Sequence, residues 1–243
     1  VDAKEFEQEI KVVMEERRLR TEDQPQAQLF EQMGAVAFQA HPYRVPIIGW
    51  MNDLEAMSVQ DARDWYERWY EPNNAFVVVV GDVDHESVFA LAEKYYGPLA
   101  ARPLPTRKPQ VEPEQKGTRR LTVKAPAELP VVVMAYKVPV LRDVEKDIDP
   151  YALEMLSAIL DGHDAARFSR SLIREQRLAV SANAGYDATS RGPGLFYLLA
   201  GYRKPVRDVP PTDSRPAAGI ERMLWYGCST RVRYRNRVEQ LHD

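Results

Sequence analysis

One cysteine stands in these 243 residues. Cys228 alone excludes an intramolecular disulfide and any cysteine-cluster metal site, and it leaves the redox compartment open. Long apolar runs are missing too. The most extended, such as residues 75–80, fall far short of the roughly 20 residues that a membrane-crossing helix needs, so no membrane span is expected. A large charge of one sign is also lacking: 33 Lys and Arg face 36 Asp and Glu, a net charge of −3. That balance argues against a general nucleic-acid or membrane-surface binder. Histidine is scarce, and His41, His85, His163 and His242 sit in neither an H-x-x-E-H nor an H-E-x-x-H pattern. No leader segment opens the chain, which starts at Val1 and runs straight into a helical pattern. Such a start is what a trimmed or partial chain would look like, so the missing targeting segment says little about location.

What is present begins with that pattern. Residues 3–20 read AKEFEQEIKVVMEERRLR. On a helical wheel Phe6, Glu9, Ile10, Val12, Val13 and Glu16 share one arc, opposite Lys4, Glu7, Lys11, Glu15 and Arg18. Glu9 and Glu16 are two turns apart and point the same way. A carboxylate on an apolar face is costly unless it is paired or bound to a metal. The helix therefore either carries an ion-pair network, with Arg17 and Arg20 as partners, or reaches toward a cation.

Residues 26–39 predict a second helix holding Leu29, Phe30, Met33, Val36 and Phe38, broken by His41-Pro42-Tyr43. Ser58 with Asp61 predicts an N-cap, and the helix it opens runs to Tyr70. Its Trp65, Tyr66, Trp69 and Tyr70 read as core and interface packing. After a turn at Pro72-Asn73-Asn74, residues 75–80 (AFVVVV), closed by Gly81, predict a buried strand. Asp84 predicts the cap of a helix that runs to Tyr96. Residues 98–117, with Pro98, Pro103, Pro105, Pro109 and Pro113 among charges, read as an extended, semi-rigid linker. Beyond it, residues 119–124 and 130–138 predict strands. Residues 148–160 predict a helix with Ala152, Met155, Leu156, Ile159 and Leu160 inside. Residues 164–176 predict another helix, and residues 178–188 and 195–202 predict two strands joined by Gly192-Pro193-Gly194. Partial segregation of helices and strands favours α+β layers over a doubly wound sheet. His41 and His163 read as structural loop residues, and Arg174 and Glu175 as surface or inter-domain charges. Residues 205–243, with four prolines and arginines at 231, 233, 235 and 237, are expected not to join the fold. The expected division is 1–99, a linker over 100–117, a second domain over 118–204, and an atypical tail over 205–243.

Four stretches, in this order, resemble the pitrilysin/insulinase family of inverted-motif zinc peptidases. They are Glu9-Ile-Lys-Val-Val-Met-Glu-Glu16, then Tyr70-Glu-Pro-Asn-Asn-Ala-Phe-Val-Val-Val-Val-Gly81-Asp82, then Asp149 through Gly162, and Arg167-Phe-Ser-Arg-Ser-Leu-Ile-Arg-Glu175 with Leu178-Ala179. The resemblance implies two consecutive homologous α+β layer domains of the insulinase and mitochondrial-processing-peptidase kind, both incomplete, the second inactive. It implies Zn2+ in the complete protein, Glu16 as the third zinc ligand and Glu9 as a supporting carboxylate. It implies a peptide or unfolded-protein substrate and a second homologous chain or half as partner. The family's H-x-x-E-H, source of two histidine ligands and the general base, is absent here and is expected upstream of Val1. The chain alone is therefore expected to hold zinc weakly and to cleave nothing. The compartment stays unknown, periplasm and cytoplasm both being open to a bacterial protein. Two other readings remain: a non-catalytic structural or partner subunit of the same fold, against which Glu9 and Glu16 argue, and an unrelated α+β binding protein.

Overall fold

Asp2 and Glu5 exchange hydrogen bonds across the first turn of α1 (Ala3–Arg17), each side chain accepting from the other's backbone amide. This capping box satisfies two of the amides that a helix start leaves free. The computed structural model describes residues 2–202, so the expectations for residues 205–243, Cys228 and His242 lie outside the described residues. The chain divides into two compact units, Val1–Glu114 and Gln115–Asp243.

In the first unit α1 continues through a π-helical turn, Arg18–Glu22, and reverses into α2 (Pro25–Ala37). Proline fits at the first helical position of α2 because no partner is needed there for its missing amide. A short 3-10 turn, Pro42–Arg44, follows His41. Gly49, with φ at +81°, then leads into α3 (Met51–Ala56), a helix too short to leave a period in the sequence. Ser58 and Asp61 form the expected capping box of α4 (Val59–Trp69), and Asp84 caps α5 (His85–Tyr96).

Residues 75–80 are not the expected buried strand. Phe76 is 90% exposed, Val77 to Val80 are exposed as well, and no described strand lies in this unit. A strand buries its faces and satisfies its backbone only beside another strand. The described residues of the unit supply no such neighbour, so β-branched composition alone does not make one. The aromatic expectation for α4 also changes. Trp65, Tyr66 and Tyr70 are exposed along the helix surface, with Tyr66 stacked on Tyr70 and Trp65 tilted against Trp69. Only Trp69 is half-buried, beneath the Arg107 guanidinium at 4.2 Å.

Most of the proline-rich segment, through Glu114, belongs to the first unit and is bonded into it. Arg102 bonds both oxygens of buried Glu71, at 2.8 and 2.7 Å, and Asn73 donates to the Arg102 carbonyl. The Glu112 carboxylate accepts the amides of Gln39, Ala40 and His41 at 2.9 to 3.0 Å. Three successive amides converging on one anion form a nest. It fastens residue 112 to the end of α2.

The second unit holds β1 (Val131–Val138), α6 (Ile148–Asp161), a π-helical segment Ser169–Glu175, β2 (Ala179–Gly185) and β3 (Gly194–Tyr202). The sheet is antiparallel in the order β1-β3-β2, with Val131 opposite Gly201, Val138 opposite Gly194 and Gly185 opposite Tyr197. Leu160, Phe168 and Leu172 from the helical segments meet Ala179, Ala182, Phe196, Leu198 and Ala200 from the sheet to form the core. Residues 119–124 form no strand, because no ladder reaches them. Their alternation creates two faces only once a neighbouring strand fixes a register.

The buried face of α6 holds Leu153, Leu156, Ser157 and Leu160, whereas Ala152, Met155 and Ile159 face outward. Periodicity gives the width of an apolar stripe, and packing chooses its centre. Here the choice is made by Leu160 in the core and by the Ser157 hydroxyl donating to the Ala184 carbonyl at 3.1 Å. The following helix opens at Arg167, after a turn in which His163 Nδ1 accepts the Ala165 amide. Arg174 donates to the Asp164 carbonyl, and Glu175 lies 3.8 Å from Arg170. No described helix is long and apolar enough to cross a membrane.

Candidate functional site

The two carboxylates singled out by the sequence sit on α1, and the helix is turned somewhat from the predicted arc. Phe6, Ile10, Val13, Met14 and Glu16 are half-buried, Glu9 and Val12 are exposed, and the most deeply buried residue is Arg17. Glu16 thus lies at the border between the packed face and the surface, and Glu9 lies two turns away on the exposed side. Glu16 Oε1 forms an ion pair with Arg20 Nη1, one turn further on, at 2.9 Å, with both side chains substantially exposed. Glu9 has no charged partner among the described residues.

Arg17 does not serve as a partner for these acids. It is 5% exposed, and its guanidinium reaches away toward α2. Nη1 donates to Glu31 Oε2 at 2.8 Å and to the Gly49 carbonyl at 2.7 Å, while Nη2 donates to Glu31 Oε1 at 3.1 Å. Nε lies 3.3 Å from Glu22 Oε1, close enough for charge attraction but too poorly aligned for a hydrogen bond. The Trp50 ring lies 5.8 Å from the guanidinium carbon. The Glu31 hydrogen bond raises the Arg17 pKa further above its ordinary value, against the lowering effect of burial. A buried charge held by a bidentate, charge-assisted pair is the arrangement that burial demands. The sequence did contain one signal for it: Glu31 interrupts an apolar run between Phe30 and Met33. Nothing in sequence spacing marked Gly49 or Glu22.

The described histidines stand apart from this face in their bonding. His41 Nδ1 accepts the Tyr43 amide, and its ring meets Phe38 and Tyr43. His85 pairs with its neighbour Glu86 on the surface. Among the described residues, no three His, Cys, Asp or Glu side chains are grouped so as to hold a metal ion. Glu16 nonetheless fits the part of a single carboxylate donor. It offers a hard oxygen at the edge of a packed helix, and its pair with exposed Arg20 holds it by a contact worth no more than about 1 kcal/mol.

The family model described as the peptidase M16 inactive domain matches residues 56–209. A zinc protease, PqqE, of Helicobacter pylori is 34% identical over 203 residues, which are 81% of this chain and 44% of that protein. An uncharacterized zinc protease of Mycobacterium leprae is 30% identical over 227 residues, 90% of this chain and 48% of that one. The chain therefore spans about half the length of the curated relatives it matches. Among solved structures, a protease from Helicobacter pylori superposes with a TM-score of 0.74 at 32% identity, over 84% of this chain and 49% of that one. The peptidase M16 inactive domain from Pseudomonas fluorescens shares the fold, with a TM-score of 0.64 at 16% identity over 83% of this chain and 47% of that one. With its mixed helix-and-sheet fold and these matches, the chain belongs to the peptidase M16, or insulinase, family.

Proposed function

We propose that this chain is part of a zinc metallopeptidase that hydrolyses peptides or unfolded proteins, with Glu16 as a carboxylate ligand of the metal and Glu9 as its supporting carboxylate. The observation that carries the reading is the state of Glu16. It matches the family's acid in Glu9-Ile-Lys-Val-Val-Met-Glu-Glu16, and it lies at the margin of the packed face beside a displaceable arginine. The relatives' names, zinc proteases, agree with it. When bound, zinc supplies a water of lowered pKa and polarises the scissile carbonyl.

The chain's own contribution is narrower. Glu16 presents one oxygen donor, and Glu9 places a second negative charge two turns away on the same helix, where it orients or balances positive groups around the site. Two imidazole donors and a proton acceptor are not found in H-x-x-E-H form in these residues, so other polypeptide segments supply them. A homologous half or second chain is the natural partner.

One observation favours a second reading, a non-catalytic partner role: the matched family model is the inactive domain. That match starts at residue 56 and leaves α1 untouched. The deciding experiment uses Glu16→Gln in the polypeptide that carries this segment in its natural context. The substitution is expected to remove most bound zinc, counted by metal analysis, and to abolish chelator-sensitive cleavage of a fluorogenic peptide. The isolated 243-residue chain serves as the uncleaving control. Full zinc content and activity in the variant would overturn the assignment of Glu16.

A further inference from the structure

We infer that Arg17, through its bidentate pair with Glu31, is the positioning residue that fixes the rotation of α1 and so aims the Glu16 carboxylate. The inference rests on the reading of Glu16 as a zinc ligand. Its starting point is how little else holds the helix. Arg17 is the only buried residue of α1. Phe6, Ile10, Val13 and Met14 are no more than half-buried, and Val12 is exposed. A half-buried apolar stripe tolerates sliding and rotation, because hydrophobic contact is non-directional.

A guanidinium is the opposite kind of anchor: planar, always charged, with donors in fixed directions. In Arg17 these directions are used on two separate segments, with charge attraction from a third residue. Glu31 belongs to α2 and Gly49 precedes α3, while Glu22 in the π-helical turn adds only charge attraction. Trp50 adds a flat surface beside the group. Acceptors on two other segments around one plane fix both the height and the phase of the helix that bears it. Successive residues on an α-helix are about 100° apart, so fixing Arg17 sets the direction in which its neighbour Glu16 leaves the axis. The Glu16–Arg20 pair cannot do this, since both of its members ride on the same continuous helical run. Lysine at position 17 would keep the charge and lose the fork.

The test uses the polypeptide that carries this segment in its natural context, in three variants: Arg17→Lys, Glu31→Gln and, as a reference, Glu16→Gln. Zinc affinity is read by competition with a chromogenic chelator, metal geometry by the visible spectrum of the cobalt-substituted protein, and folding by circular dichroism of the metal-free form. Arg17→Lys and Glu31→Gln are expected to weaken zinc binding by about 10- to 100-fold, the usual cost of losing a group that orients a ligand, and to alter the cobalt spectrum while the metal-free protein stays folded. Glu31→Gln keeps the volume and one oxygen, so it serves where Arg17→Lys does not fold. A lower melting temperature in both, with unchanged zinc affinity and cobalt spectrum, would show a merely structural pair and overturn the inference. Were Glu16→Gln to keep full zinc affinity, the ligand reading and this inference would fall together. Loss of zinc in Glu16→Gln alone would overturn only the positioning role.

Discussion

Leu160 and Met155 stand on the same helix and in the same apolar stripe of the sequence, yet one is 0% exposed and the other 62%. Leu160 touches Phe168, Leu172 and the sheet residues of the core, so Leu160→Ala leaves a cavity and is expected to cost about 2–5 kcal/mol. Met155→Ala removes little buried surface and is expected to stay within about 0.5 kcal/mol. Urea unfolding of the 243-residue chain checks both, and equal losses would show the face of α6 to be misplaced. The same difficulty governed α1. Hydropathy placed Glu9 and Glu16 together on an arc but could not tell that Arg17, one residue on, is the group that the fold buries. Which of the two adjacent side chains, Glu16 or Arg17, turns inward depends on Glu31 and Gly49, and these lie 14 and 32 residues along the chain. A helical wheel holds no information at those separations.

At the scale of elements, local chemistry was legible and pairing was not. Ser58 with Asp61, and Asp84 with Ser87, announce their helices because a cap is made by residues three apart. β1, β2, β3 and α6 were legible as well, since each has its period and its turn residues. Residues 75–80 had the composition of a strand and lacked the neighbour that turns composition into structure. α3 was invisible because six residues do not complete two turns. The exposed run yields a prediction at this scale. Val78 is 72% exposed, so Val78→Asp in the isolated chain is expected to change stability by no more than about 0.5 kcal/mol. At a buried strand position the same charge would be ruinous. A drop of several kcal/mol in thermal or urea unfolding would show that the run is packed after all.

For the molecule as a whole, the near balance of charge at neutral pH hides a set of aspartates that tie stability to acidity. In the first unit the Ser58 hydroxyl holds Asp61 below the usual carboxylate range, and the Ser87 hydroxyl does the same for Asp84. In the second, Asp143 is lowered chiefly by Lys146, Asp147 by the amides of Asp143 and Arg142, and Asp187 by the Thr189 hydroxyl. Each accepts hydrogen bonds that only the ionised form accepts fully, and all five close a helix start or a turn. A carboxylate whose pKa is depressed on folding gives its stabilisation in full above its unfolded pKa, near 4, and loses it as pH falls through the lower folded value. Tyr186 supplies the opposite edge. Burial raises its pKa, and its hydroxyl donates to the Pro139 carbonyl, so its contribution holds below about pH 10 and fades as pH rises past it. The melting temperature of the 243-residue chain is therefore expected to be nearly flat between about pH 6 and 8 and to fall progressively below about pH 4 as the five caps and turns are protonated. Asp61, Asp84 and Asp187 are exposed and Asp143 and Asp147 half-buried, so the decline is gradual and made of small steps rather than one collapse. Substituting Asp61 and Asp84 by asparagine keeps capping oxygens that do not titrate, and it should flatten the acid limb measured by circular dichroism. An acid limb unchanged in that double variant would mean that these two caps play no part in the acid response.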